Sequence, residues 1–84
     1  MNTINVRYFA AIREVLGPGE KVQLAQGATV AALRDQLIGC SPEHAAELAR
    51  GKAIRCALNQ TLSDESAVVG EGAEVAFFPP VTGG

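Results

Sequence analysis

The chemically capable residues of this 84-residue chain are few and scattered, and most are disposed of by their spacing. His44 is the only histidine, so neither an HExxH pair nor a multi-histidine metal site is available. It falls in the first turn of a surface helix, where a solvated side chain is the simplest expectation. Gly51-Lys52 lacks the spaced glycine of a phosphate-binding loop and is followed by Ala53 rather than Ser or Thr, which argues against ATP binding by the chain itself. Cys40 and Cys56 form no CxxC pair. Cys40 follows a helix end rather than sitting at a helix start, and Cys56 reads as a buried, inert residue. Asp64, Glu65 and Glu71 make an acidic group on turns, read as solvated surface. What remains is the closing run Pro79-Pro80-Val81-Thr82-Gly83-Gly84. Two prolines have fixed φ and no N–H, so they end a sheet ladder and favour an extended exit. Six residues reach at most ~20 Å, enough to thread into another protein. Glycine at Gly83 and Gly84 minimises the cross-section of that reach. A frayed terminus is the competing reading.

The elements that carry this tail follow from periodicity. Ile4 to Ala11 alternates as a strand, with Ile4, Val6 and Tyr8 on one face and Asn5, Arg7 and Phe9 on the other. Ala11 to Leu16 is one short helical turn, cut off by Gly17-Pro18-Gly19. Lys21 to Leu24 returns as a second strand, antiparallel to the first. Thr29 is an N-cap for the main amphipathic helix, with Val30, Leu33 and Leu37 on one stripe and Gly39 as its stop. Ser41-Pro42 starts a second helix that runs to Arg50. Ile54 to Leu58 is a third strand, Asn59 to Ser66 a polar turn interrupted by Leu62, and Ala67 to Val69 a short apolar strand. Glu74 to Phe78 is the last strand, with Val75 and Phe77 facing one way and Ala76 and Phe78 the other. Helices on one face of a mixed sheet make an α+β domain over residues 1–78, followed by a C-terminal Gly-Gly tail over 79–84.

If the first and last strands lie parallel and adjacent, Phe9 and Phe78 share the face away from the helices, at the root of the tail. Leu62 is expected to join them in a docking patch.

Composition narrows the class. One small domain buries roughly 60–65% of its unfolded surface, leaving little room for an enclosed pocket. The net charge is −2 and the pI about 5.2, with Lys and Arg dispersed, so nucleic acid is not an expected partner. No apolar run has the length of a membrane span and no signal peptide is evident, so the expected location is the cytoplasm, with no membrane contact.

The stretch Ala57-Leu58-Asn59-Gln60-Thr61-Leu62, together with Gly70-Glu71-Gly72-Ala73-Glu74-Val75-Ala76-Phe77-Phe78-Pro79-Pro80-Val81-Thr82-Gly83-Gly84, closely resembles the small, sulfur-carrying subunits of molybdopterin synthase. The start, Ile4 to Ala10, and the helix Thr29 to Arg34 are similar to the same family. The resemblance implies a ubiquitin-like β-grasp fold and a protein that is not catalytic alone. An E1-like adenylyltransferase would consume ATP to activate the carboxylate of Gly84, and sulfur would then convert it to a thiocarboxylate. The large synthase subunit, two large with two small in a heterotetramer, would accept the tail and pass the sulfur to the pyranopterin precursor of the molybdenum cofactor. Family interface positions carry over to Phe9, Leu62 and Phe78, with Pro79, Pro80, Val81, Thr82 and Gly83 leading to the reactive end. No cofactor or metal is implied on the chain itself. The family's Asp-Gly-Asp turn is Glu71-Gly72-Ala73 here, which weakens the expectation of polar partner contacts there. Sulfur carriers of the thiamine and tRNA-thiolation pathways also end in Gly-Gly, and a ubiquitin-like interaction module with an inert tail is the reading from a different class.

Overall fold

The computed structural model describes residues 1–80. Eight elements follow in chain order: β1 (Asn2–Tyr8), α1 (Ala10–Leu16), β2 (Gly19–Leu24), α2 (Val30–Ile38), α3 (Pro42–Leu48), β3 (Arg55–Leu58), β4 (Thr61–Ser63) and β5 (Glu74–Phe78). The five strands form one mixed sheet in the order β2-β1-β5-β3-β4. β1 pairs antiparallel with β2 and parallel with β5, setting Tyr8 opposite Phe77. β5 pairs antiparallel with β3 on its other side. This is the β-grasp arrangement, with all three helices on one side of the sheet.

Period-two alternation decides what each strand buries. Ile4, Val6 and Tyr8 from β1 and Val75 and Phe77 from β5 turn inward, where they meet Ile12 of α1, Val30, Leu33 and Leu37 of α2, and Leu48 of α3. Leu24, Cys56, Val69 and Ala73 complete this core. Burial raises the Cys56 thiol above its ordinary pKa, with Glu65 and Asp64 adding to the rise, which leaves it the inert residue expected.

Both helix starts behave as their capping residues predict. The Thr29 hydroxyl accepts from the Ala32 amide at 3.2 Å, and the Ser41 hydroxyl accepts from the His44 amide at 3.1 Å. The stops differ. α3 ends at Leu48 rather than Arg50, because Arg34 collects its last carbonyls. Arg34, a residue only 3% exposed, donates from Nε to the Leu48 carbonyl at 2.8 Å and from Nη2 to those of Ala49 and Lys52 at 2.6 and 3.2 Å. Its Nη1 meets Glu65 Oε2 at 2.6 Å. Arg50 extends this network to Glu65, to Asp35 at 2.8 Å and to the Ala31 carbonyl at 2.9 Å. A buried guanidinium with each of its nitrogens bonded in this way joins α2, the end of α3 and the loop before Ser66.

Four local expectations are corrected. β1 stops at Tyr8, because Phe9 is the extended N-cap of α1 and Ala10 turns the chain with φ 54, a left-handed value that is strained for alanine. α1 is a helix of seven residues, longer than a single turn. The strand placed at Ala67–Val69 reduces to an isolated bridge between Val68 and Thr29, whereas Thr61–Ser63, read as turn, is β4. Asn59 and Gln60 carry φ 50 and 70, the two-residue hairpin geometry that sets Leu58 opposite Thr61. Asn-Gln is a weaker hairpin signal than Asn-Gly, which is why the turn hid the strand. Among the described residues no helix is long and apolar enough to cross a membrane.

Candidate functional site

Among the described residues the outer face of the sheet carries no helix, and register places the predicted docking residues on it. Leu62 faces Ala57, Ala57 faces Ala76, and Ala76 faces Arg7, so these four form one rung across four strands. Two residues further along, Phe78 lies opposite Arg55, and the Phe9 amide donates to the Phe77 carbonyl at 3.2 Å. Phe9 and Phe78 therefore share the next rung, at the end where the chain leaves the sheet. Phe9 is 38% exposed, Leu62 is 59% exposed, and Phe78 is half-buried. The small side chains of Ala57 and Ala76 leave the ground between Leu62 and Phe78 low. The Arg7 guanidinium stands 5.7 Å from the Phe9 ring centroid and 3.7 Å from Glu74.

Pro79 and Pro80 follow directly. With Ala11, Ile12, Ala53 and Ile54 they line a mostly apolar groove of about 270 Å³ beside α1, rimmed by Glu47 and Lys52. The tail root thus has the aromatic pair on one side and this groove on the other. No sequence signal announced the groove, which assembles from segments more than sixty residues apart in the chain. Val81, Thr82, Gly83 and Gly84 lie outside the described residues.

His44 is not the solvated helix residue expected. Its Nε2 sits 2.7 Å from Glu20 Oε2, its Nδ1 2.7 Å from Ser41 Oγ, and the Tyr8 hydroxyl donates to the same Glu20 oxygen at 2.6 Å. The Tyr8 and His44 rings meet edge to face at 6.4 Å. Burial, with help from Glu20, raises the Tyr8 hydroxyl far above its ordinary pKa of 10.0. Burial alone would raise Glu20 as well, but the hydrogen bonds from His44 and Tyr8 outweigh it and hold that carboxyl below its usual value. This chain of polar groups ties α3 to β1 and β2. It was invisible because Glu20 and His44 are far apart in sequence. Among the described residues no cluster of three or more His, Cys, Asp or Glu is gathered in metal-binding geometry.

The sequence profile of the ThiS family matches residues 6–84. The chain belongs to the ThiS family. It is 43% identical over 81 residues to the molybdopterin synthase sulfur carrier subunit of Escherichia coli, covering 96% of this chain and 99% of that one. The corresponding subunit of Mycobacterium tuberculosis is 40% identical over 86 residues, covering both chains fully. Among solved structures, SAMP1 of Haloferax volcanii superposes with a TM-score of 0.79 at 28% identity, over 99% of this chain and 100% of that one. A chain of the protein-protein complex of subunits 1 and 2 of molybdopterin-converting factor from Helicobacter pylori shares the fold, with a TM-score of 0.69 at 24% identity over 98% and 99% of the two chains. A ubiquitin of Caldiarchaeum subterraneum does so at 0.60 and 16% over 99% and 98%, which supports the ubiquitin-like description of this β-grasp sheet. The ThiS family chain thus meets its relatives over its whole length rather than over a shared fragment.

Proposed function

We propose that this chain is the sulfur-carrier subunit of a molybdopterin synthase, and that its reactive group is the carboxylate of Gly84. The observation that carries the reading is full-length identity above 40% to carrier subunits, joined to an unsheathed aromatic face at the root of a Pro-Pro-Val-Thr-Gly-Gly tail. A terminal carboxylate, with a pKa of about 3.5, is ionised at neutral pH and resists nucleophiles. An E1-like partner therefore joins it to the adenylyl group of ATP, releasing pyrophosphate, and a sulfur nucleophile displaces AMP to leave a thiocarboxylate. The chain needs no bound cofactor for this role; its part is to hold a nearly featureless carboxylate at the end of a slender arm.

The described residues supply that arm's base. β5 is hydrogen-bonded on both sides, so the direction in which Phe78 and Pro79 leave the sheet is fixed by two ladders rather than one. The large synthase subunit docks on Phe9, Leu62 and Phe78, and Pro79 to Gly83 run from that surface into its active site. Two small and two large subunits make up the assembly, which works in the cytoplasm.

Intact-mass analysis after co-expression with the activating enzyme tests the proposal. The C-terminal peptide is expected to gain the mass of sulfur replacing oxygen, and an unchanged mass rejects it in favour of an inert tail. One residue added after Gly84 is expected to abolish sulfur transfer while shifting the thermal midpoint by less than about 2 °C, since the addition touches nothing in the core.

A further inference from the structure

Register sorts the charged strand residues with a bias that composition conceals. Arg7, Lys21 and Arg55 all direct their side chains to the outer face, where Glu74 is their single acidic strand neighbour. The remaining strand acid, Glu20, turns instead toward Tyr8 and His44. The rest of the chain has four basic residues against eight acidic ones. A protein of net charge −2 therefore carries a positive sheet face. The guanidiniums are set around the aromatic pair: Arg55 directly opposite Phe78 in the ladder, Arg7 against Phe9. Arg7 has only the long 3.7 Å contact with Glu74, and Arg55 has no ion pair among the described residues.

This matters for what can sit on the face. Covering Phe9 and Phe78 removes water from the two adjacent guanidiniums, and a desolvated cation without a partner costs more than the apolar contact returns. Planar, multiply donating guanidinium favours carboxylate as that partner. We propose that the surface docking on the outer face is an apolar patch of the large synthase subunit flanked by carboxylates, which pair with Arg55 and Arg7 while Phe9 and Phe78 are covered. Lys21, further out on β2, contributes to long-range attraction. The inference rests on the docking role given above to Phe9, Leu62 and Phe78, and adds the chemistry of the surface that meets them.

Titration calorimetry of the full chain against the large subunit encoded in the same genome tests it, at low and at high sodium chloride. Affinity is expected to fall about tenfold or more from low to high salt. The R7E/R55E variant is expected to bind at least about thirtyfold more weakly at low salt and to lose most of the salt response, with R7Q/R55Q intermediate. Circular dichroism checks that both variants are folded. The neutral pair also provides an answer should charge reversal unfold the sheet. Unchanged affinity of R7Q/R55Q, or salt-independent wild-type binding, overturns the proposal. F78D separates this failure from that of the docking reading. If F78D abolishes binding while the arginine variants bind normally, only the carboxylate inference falls; if F78D binds normally, the docking face itself is elsewhere.

Discussion

On the helix side of the sheet Arg34 is almost wholly enclosed, its guanidinium shared among three carbonyls and Glu65. On the other side Arg7 and Arg55 reach solvent beside Phe9 and Phe78, one loosely paired and one without an ion pair among the described residues. The residue type is the same and the physical role is opposite. An arginine with four of its five donors bonded within its own chain has little left to offer another molecule, and its removal leaves acceptors and a carboxylate stranded. An arginine left incomplete beside exposed aromatics costs the isolated protein little and becomes useful only when a partner completes it. The helix side thus holds stability, and under the proposed function the outer face and the tail hold recognition.

Substitutions that move one property and not the other sharpen this division. The largest effect belongs to Arg34→Ala, which strands Glu65 and frees the carbonyls at the end of α3. It is expected to cost about 3–5 kcal/mol in urea unfolding, or more than about 10 °C in thermal midpoint, without changing partner affinity in the fraction that remains folded. Comparable loss of affinity in that folded fraction would break the division. Phe78→Asp is the mirror case: partner affinity is expected to fall by about 2 kcal/mol or more in titration calorimetry, with a much smaller change in unfolding free energy.

The acid limb of stability comes next. Burial alone would raise Glu65 and Glu20, yet Arg50 and Arg34 hold the first, and His44 and Tyr8 the second, below the ordinary value of 4.5. Groups depressed in the folded state contribute stability above the unfolded value, and that contribution is lost as pH falls through their lowered folded values. Urea midpoints are therefore expected to drop steadily below pH 4.5, with a shallower drop in Glu65→Gln, whose stability at pH 7 is already reduced. The smallest effect is that of Leu62→Ala. At 59% exposure the side chain has little folding energy to lose, so unfolding is expected to change by less than about 0.5 kcal/mol and affinity by less than about 1 kcal/mol.

Much of this division could be read from spacing. Ile4, Val6, Tyr8, Val75 and Phe77 alternate cleanly, and their alternation alone placed Phe9 and Phe78 on the far face. Thr29 and Ser41 named their helices because a hydroxyl cap is a local device. What spacing missed was non-local. Arg34 stood out in no way, since nothing nearby in sequence says that the end of α3 will fold under it. Glu20 and His44 gave no sign of meeting, and the groove beside Pro79 needs α1 and the 52–54 loop to converge on it. β4 was lost to a weak turn signal, although Leu62 itself was singled out correctly as an apolar residue exposed among polar ones.

The position of β5 has a mechanical consequence. Because β1 lies parallel to it on one side and β3 antiparallel on the other, a pull on the tail along the strand axis loads both ladders in shear. Hydrogen bonds in shear must fail together, whereas bonds peeled from an edge fail one by one. A partner that draws the arm into a deep, narrow cleft can therefore pull on it without unzipping the domain. The tail is a rope made fast at the middle of the sheet, and whatever tension its passage requires is borne by the most interior strand of the protein.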